Sequence, residues 1–316
     1  MKKKLSILLF TVMCISLVTS CKKKEDENES LDPNVQQFND DSNRYKAESD
    51  QADNDINAQL QEIPGFGRVA QSLSSPLCGA TIDTSQLSQK IVFFNFDGQT
   101  PCFSPSRTRA GQIKAQLTSG NSWADAGSML TITYINFKIT RLSDNKSILF
   151  NGVKTLKNIN GNDWLGFLAS TATLKYQERA FNIQVVFDNN QTAVWNSARL
   201  TEWSNSTGPQ IADNHINFIS NGDTTINGVA HTDSWGTNRN GTTFTTYYTA
   251  AINSNTYCGL WRFNSGELVH NVNGKNFILT LGVDAQGNPT PYACAYGFKV
   301  TWTAGTGTNQ SVVLSY

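Results

Sequence analysis

Seven short turn signals, each an Asn-Gly or Asp-Gly dipeptide, interrupt the sequence between residues 97 and 274. Both residues of such a pair readily adopt the positive φ that a two-residue type I′ turn requires, so each dipeptide favours a tight β-hairpin. The seven pairs begin at Asp97, Asn151, Asn160, Asn221, Asn227, Asn240 and Asn273. Turns at this density exclude long helices from the region and indicate antiparallel strands.

Apolar residues alternate with polar ones between these turns, and a period of two is typical of strands with one buried face. The clearest runs are 113–117, 181–187, 277–283 and 298–302. In the run 130–139 the apolar set changes face between Tyr134 and Ile135, which predicts a β-bulge.

Counting such runs gives roughly 15 to 17 strands, more than one small sandwich holds. We therefore predict a mainly β fold with two antiparallel β modules, residues 64–165 and 166–316, or with one long twisted meander or sandwich. An Asn-Gly-Val segment occurs at both Asn151 and Asn227. The repeat favours a duplication, although turn chemistry alone also explains it.

The N-terminus has the three parts of a signal peptide, predicted over residues 1–20. Lys2, Lys3 and Lys4 precede an apolar run that ends in Val18-Thr-Ser-Cys21. That run is shorter than the ~20 residues that a transmembrane helix needs, so a retained membrane helix is the weaker interpretation.

Val18-Thr-Ser-Cys21 resembles the lipobox of bacterial lipoproteins. The resemblance implies cleavage before Cys21 and acylation of that residue, with chains such as palmitate. Several long acyl chains hold a protein to a bilayer almost permanently, so the predicted partner of Cys21 is the membrane.

Charge separates a first part of the mature chain from the rest. Residues 22–63 contain 5 basic and 12 acidic residues, whereas residues 64–316 contain 17 basic and 13 acidic ones. Residues 21–31 are too charged to bury a core and should form an acidic tether. Residues 32–63 carry a weak apolar stripe at helical spacing and predict one helix, either a stalk or a helix lying along the β domain.

Four cysteines remain if Cys14 leaves with the signal peptide and Cys21 carries lipid. An even number in an exported chain indicates disulfides. Among three pairings we favour Cys78–Cys102 and Cys258–Cys294, since each pair flanks one run of strands. Their spacing lacks the Cys-x-x-Cys of a zinc site.

Metals and cofactors are not predicted elsewhere either. A calcium loop starting at Asp53 would place Ala58 at the turn glycine and Pro64 at the bidentate acid. His231 and Asp233 share a strand face, but a surface hydrogen bond is the simpler interpretation of such a pair.

The chain as a whole resembles a group of uncharacterised Bacteroidota surface lipoproteins. The resemblance spans most of the mature chain and rests on the lipobox, the acidic helical segment, Cys78 before Ile91-Val-Phe-Phe-Asn-Phe-Asp-Gly98, Arg107-x-Arg109-x-Gly111, Asn151-Gly-Val, and Thr237-Asn-Arg-Asn-Gly241 before Cys258. It implies a β fold and no activity. Lys24-Glu-Asp26 is also similar to the signal that sends such lipoproteins to the outer face of the outer membrane.

Catalysis and nucleic-acid binding have little support. We find no nucleophile elbow, phosphate loop or zinc-protease helix, and therefore predict no catalytic residue. A glycoside hydrolase needs only two suitably placed carboxylates, but the sequence does not choose among candidates such as Glu178, Asp188, Glu202 and Glu267. The basic residues after Pro64 are not clustered as phosphate binding requires.

Aromatic and amide side chains are the abundant binding groups, and the tryptophans are Trp123, Trp164, Trp195, Trp203, Trp235, Trp261 and Trp302. Most strand aromatics pack in a core. Trp235 and Trp261 border predicted hairpins and are the favoured exposed rings, with Asn238 and Arg239 as polar edges of a ligand platform.

The sequence therefore predicts a lipid-anchored protein of the outer membrane that faces the cell exterior and binds a partner without catalysis. The expected ligand is a glycan. A structural or scaffold subunit that binds an outer-membrane protein is the alternative, and a hydrolase is the third.

Overall fold

The computed structural model describes residues 33–66, 77–102, 106–163, 166–167, 173–206, 215–260, 262–290, 294–304 and 307–316. The signal peptide, the lipidation site at Cys21 and the tether that the sequence predicts lie outside these ranges, as does Trp261. No helix within the described ranges has the length and apolar character needed to cross a bilayer.

One long helix, α1, runs from Pro33 to Leu60. Proline suits the first turn of a helix because its missing N–H has no intrahelical partner there. A stripe of residues spaced seven and four apart is buried along α1: Phe38, Tyr45, Ala52, Ile56 and Leu60. This stripe packs into the main core together with strand residues, so α1 lies along the β domain and is not a free stalk.

Fifteen strands follow α1 in the described ranges, which confirms the mainly β prediction with a single N-terminal helix. Their bounds are β1 Ala80–Asp83, β2 Ile91–Asp97, β3 Arg107–Ser119, β4 Met129–Arg141, β5 Ser147–Asn158, β6 Leu174–Phe187, β7 Thr192–Ser206, β8 His215–Gly222, β9 Thr224–Ile226, β10 Val229–Thr237, β11 Thr243–Asn255, β12 Phe263–Val272, β13 Lys275–Val283, β14 Gly297–Thr303 and β15 Asn309–Ser315.

All these strands belong to one antiparallel sheet, and most neighbours in the sheet are neighbours in sequence. The exception is at β7, whose first half pairs with β10 and whose second half pairs with β8. The far side of β8 pairs with the end of β11. Strands β5 and β6, which precede and follow residue 165 in sequence, pair directly. The boundary between two β modules stays a prediction.

The sheet curves around α1, since residues of this one helix contact distant strands. Glu48 pairs with Arg107 of β3 at 2.6 Å. Phe38 packs against Phe244 of β11 with ring centroids 4.8 Å apart. The helix therefore occupies the concave face of the sheet.

A row of β-bulges crosses the first half of the sheet. The bulge predicted after Tyr134 is present, because the pairing of β4 with β5 shifts between Tyr134 and Phe137. Shifts also occur in β3, β5 and β6. A Cβ at Gly111 in the β3 bulge would lie only 2.1 Å from the carbonyl oxygen of Asn136, so only glycine fits there.

The Asn-Gly pairs serve two purposes. Those at 227–228 and 273–274 have positive φ at both residues and form tight hairpins, as predicted. Those at 151–152 and 221–222 lie inside β5 and β8. Gly152 marks the β5 bulge, where φ is +139°. The same tolerance of unusual φ therefore bends strands as well as connecting them.

Among the described residues, two disulfides cross-link the chain, Cys78–Cys102 and Cys258–Cys294. These are the pairs that the sequence favours.

Candidate ligand-binding pocket

A cavity of about 230 Å³ lies between α1 and the concave face of the sheet. One wall is apolar and largely aromatic, formed by Leu156, Tyr176, Trp203, Phe218, Leu260 and Phe263. The other groups are polar or charged: Lys46, Asp50, Asp53, Asn54 and Asn57 from α1, and Glu178, Arg199, Thr201 and Ser254 from the strands.

The polar wall follows from helix geometry. Lys46, Asp50, Asp53 and Asn57 are spaced four, three and four residues apart, so they project from one face of α1. This face adjoins the buried apolar stripe. Residues of the strands meet it because β6 and β7 pass beneath the helix with Glu178 and Arg199 paired in register.

The aromatic wall is built where β7 and β8 pair. Trp203 and Phe218 are register partners, and their ring centroids lie 4.6 Å apart. Trp203 is only partly buried, so part of its surface remains accessible. Such a ring offers an apolar face to a ligand.

A fully buried lysine supports the carboxylates of the pocket. The ammonium of Lys154 lies 2.6 Å from Asp53, 2.8 Å from the hydroxyl of Ser49 and 3.9 Å from Glu178. It also lies 5.5 Å from the centre of the Tyr134 ring. Burial alone would lower the pKa of Lys154, but the charges of Asp53, Tyr134 and Glu178 outweigh it and raise the pKa well above its usual value.

Arg199 is the second buried cation. Its Nε donates to Asp233 at 3.0 Å and its Nη1 donates to Asp50 at 2.8 Å. Glu178 lies 4.0 Å from the same guanidinium and accepts a hydrogen bond from Ser197 at 2.5 Å. Arg199 therefore ties α1 to β6 and β10 through charge.

The two buried carboxyls of the pocket have opposite pKa shifts. Burial raises the pKa of Asp53 to about 7, and the positive charge of Lys154 only partly offsets this effect. Burial acts in the same direction on Glu178. The positive charges of Arg199 and Lys154 outweigh this effect of burial on Glu178 and lower its pKa to about 2. Near neutral pH, Glu178 is ionised and Asp53 exchanges a proton.

Ser254 places an unsatisfied hydroxyl at the pocket. Its side chain is 2% exposed, and its Oγ has no hydrogen-bond partner among the described residues. A buried polar group without a partner is destabilising. Ser254 lines the cavity, so a bound molecule can supply the missing partner.

Three residues of the predicted platform, Trp235, Asn238 and Arg239, lie in the described ranges. Trp235 is partly buried, and its ring meets Phe181 edge to face at a centroid distance of 6.0 Å. Asn238 is buried and caps the turn by accepting hydrogen bonds from the N–H groups of Asn240 and Thr242. The site predicted on this platform stays a prediction, because Trp261 lies outside the described residues.

Arg239 is engaged with the helix. Its Nε and Nη2 donate to the carboxylate of Asp41 at 2.6 and 2.5 Å, and its guanidinium lies 3.8 Å from the centre of the Phe187 ring. Bidentate pairing and stacking together fix this side chain. Its visible role is to fasten the β10–β11 turn to α1.

The other candidates lie apart from one another. Among the four acids considered for hydrolysis, Glu178 lines the pocket, Glu202 pairs with Lys175 at 3.2 Å, and Glu267 accepts from Thr249 at 2.6 Å. His231 is exposed, whereas Asp233 is buried against Arg199.

Sequence reasoning missed the pocket as a unit. Lys154, Glu178 and Arg199 each occupy an inward-facing position of an alternating strand, where an apolar residue is expected. That anomaly was the available signal.

Comparisons with protein-family models, with curated proteins and with solved structures return no match.

Proposed function

We propose that this protein is a lipid-anchored surface protein that binds a glycan without catalysis, and that one sugar ring occupies the pocket between α1 and the sheet. The observation that carries the proposal is the pairing of an aromatic wall with a wall of carboxylate, amide and hydroxyl groups. Aromatic faces pack against the C–H faces of a sugar, while the polar groups bind its hydroxyls.

The size of the pocket supports a small ligand. Drug-sized molecules occupy pockets of about 300–1,000 Å³, and the cavity here is about 230 Å³. One ring with its substituents is therefore the expected occupant, either as a free monosaccharide or as the end of a longer glycan.

Calorimetric titration with a panel of monosaccharides and short glycans tests this function. Trp203→Leu keeps an apolar side chain but removes the ring, and it should weaken binding by about tenfold, as expected for one lost aromatic contact of ~1–1.5 kcal/mol. Trp235→Leu is the matched control on the platform predicted from sequence. Loss of binding in the control alone would contradict a pocket site.

Anchoring is the second part of the proposal, and the lipobox supports it. Cys21→Ala should abolish partition into detergent and leave a precursor of higher mass. Protease treatment of intact cells should degrade the wild-type protein if it faces the exterior. Retention of an acylated product by the variant would contradict the assignment of Cys21.

A scaffold function in an outer-membrane assembly is the second candidate, and a row of exposed apolar residues favours it. Ile135, Val153 and Phe181 are 39%, 45% and 57% exposed on adjacent strands beside the bulges. Exposed apolar patches often mark protein interfaces.

Cross-linking in intact membranes tests the scaffold. Phe181→Ser should abolish a specific cross-linked product, whereas Leu142→Ser, a similarly exposed position outside the row, should leave it intact. If both variants give the same cross-linked products, the exposed apolar row does not bind a partner and the scaffold function is contradicted.

A further inference from the structure

We infer that the pocket recognises the protonated amine of its ligand through Asp50, Asp53 and Glu178, so that an amino sugar is preferred over a neutral sugar. This inference rests on the proposed function and adds the chemical class of the ligand. The three carboxylates each present an oxygen, and these oxygens all lie within 4.8 Å of one another. Two of the carboxylates come from α1 and one from β6, and all three line the cavity.

The charges around the pocket leave one negative charge uncompensated. The connected cluster contains four carboxylates and three cations: Asp50, Asp53, Glu178 and Asp233 with Lys46, Lys154 and Arg199. Asp50 is 40% exposed, but Asp53 and Glu178 are buried, and burying a charge without compensation is unfavourable. A proton on Asp53 restores neutrality in the empty pocket, and a cationic group of a ligand can take its place.

The unpartnered hydroxyl of Ser254 is an independent indication of a polar occupant. Its side chain is 98% buried, yet its Oγ makes no hydrogen bond to any described residue. Ser254 belongs to β11 and not to the acidic cluster. It pairs with Phe218 of β8, which forms the aromatic wall, and so joins the two walls of the cavity.

An ammonium fits this site better than a divalent metal ion does. An ammonium has three donors and is satisfied by three acceptors, which matches the three carboxylates. Calcium takes six to eight oxygen ligands. A dication at the carboxylates would also be repelled by Lys154, whose ammonium is 2.6 Å from Asp53. An ammonium carries one positive charge, so Lys154 repels it less than it repels a dication.

Binding of an amine should release a proton near neutral pH. The titratable groups that act on Asp53 are Asp50 on its own helix, Tyr134 on β4, Lys154 on β5 and Glu178 on β6. Lys46 of α1 and Arg199 of β7 line the same cavity. Among these groups Asp53 has the pKa of about 7, so it holds the exchangeable proton. Affinity for an amine that stays protonated should rise as pH increases from 6 to 8.

Calorimetric titrations with glucosamine, N-acetylglucosamine and glucose test the inference. Glucosamine should bind about 10- to 100-fold more tightly than the other two, as expected for charge-assisted hydrogen bonds. Asp50→Asn, at a partly exposed position, should remove much of this preference, and Glu178→Gln should remove more. Glu202→Gln, in an exposed pair on β7, should change nothing.

Two results would overturn the inference and spare the proposed function. One is equal affinity for the three sugars, and the other is an amine preference that Asp50→Asn and Glu178→Gln leave intact. If Ca²⁺ binds in the absence of sugar and competes with glucosamine, the site is a metal site and the inference of amine recognition is also overturned. Failure of all sugars while cyclohexylamine binds in a Glu178-dependent manner would support amine recognition and contradict the glycan function. Failure of every ligand would overturn both.

Discussion

Replacement of Lys154 by methionine tests whether the buried charges form one coupled network. Methionine fills a similar volume, so the variant removes the ammonium and leaves little cavity. The ammonium is fully buried, 2.6 Å from Asp53 and 3.9 Å from Glu178. Removing one partner of a buried ion pair costs about 3–5 kcal/mol, since it leaves an uncompensated charge.

This loss should lower the melting temperature by roughly 6–15 °C, at ~2–3 °C per kcal/mol for a domain of this size. The loss should be smaller at pH 5 than at pH 8. At the lower pH Asp53, with its pKa raised to about 7, binds a proton and no longer leaves a buried charge. Urea unfolding followed by circular dichroism at both pH values measures the effect.

Two further variants make the result specific. Lys154→Met combined with Asp53→Leu should recover most of the stability, because an apolar pair can replace a buried ion pair. Lys175→Met, in a pair that is 34% and 36% exposed, should cost no more than about 1 kcal/mol. A single variant as stable as wild type, or a double variant no better than the single, would refute the coupled network.

Three other predictions concern the rest of the fold. Burial lowers the pKa of His270 from 6.5 to about 4. The unfolding free energy should therefore fall by about 3 kcal/mol as pH drops from 6.5 to 4. His270→Gln should flatten this part of the plot of unfolding free energy against pH. Gly111→Ala should cost clearly more than Gly228→Ala on thermal melting, since both glycines have positive φ but only the first Cβ would meet backbone, and equal losses would argue against the bulge geometry. Replacing Cys78 and Cys102 together by alanine should lower the unfolding free energy by about 2–4 kcal/mol, and an unchanged value under oxidising conditions would contradict their bond.

Local patterns were sufficient to predict the strands. Alternation and Asn-Gly turns act over a few residues, which is why the strands, the hairpins at 227–228 and 273–274 and the bulge after Tyr134 could be expected. The enclosure of α1 was not predictable in this way. Its face toward the sheet includes Ser49 and Asp53, so its apolar stripe looks too weak for a core helix.

The pocket and the partner of Arg239 depend on contacts between distant parts of the chain. Asp41 and Arg239 are 198 residues apart, and Asp50 and Arg199 are 149 apart. Nothing in either local sequence identifies its partner. Arg239 and Asn238 therefore suggested a free polar edge, whereas the structure engages both side chains in holding the fold.

The most direct test of the central claim is a titration followed through the tryptophan indole N–H signals in a ¹H–¹⁵N spectrum. Trp203 lines the pocket, Trp235 lies on the outer platform beside Phe181, and Trp195 is buried in the core. Addition of glucosamine should shift the signal of Trp203 and leave those of Trp235 and Trp195 in place. A shift of Trp235 alone, or no shift at saturating sugar, would contradict a ligand site between α1 and the sheet.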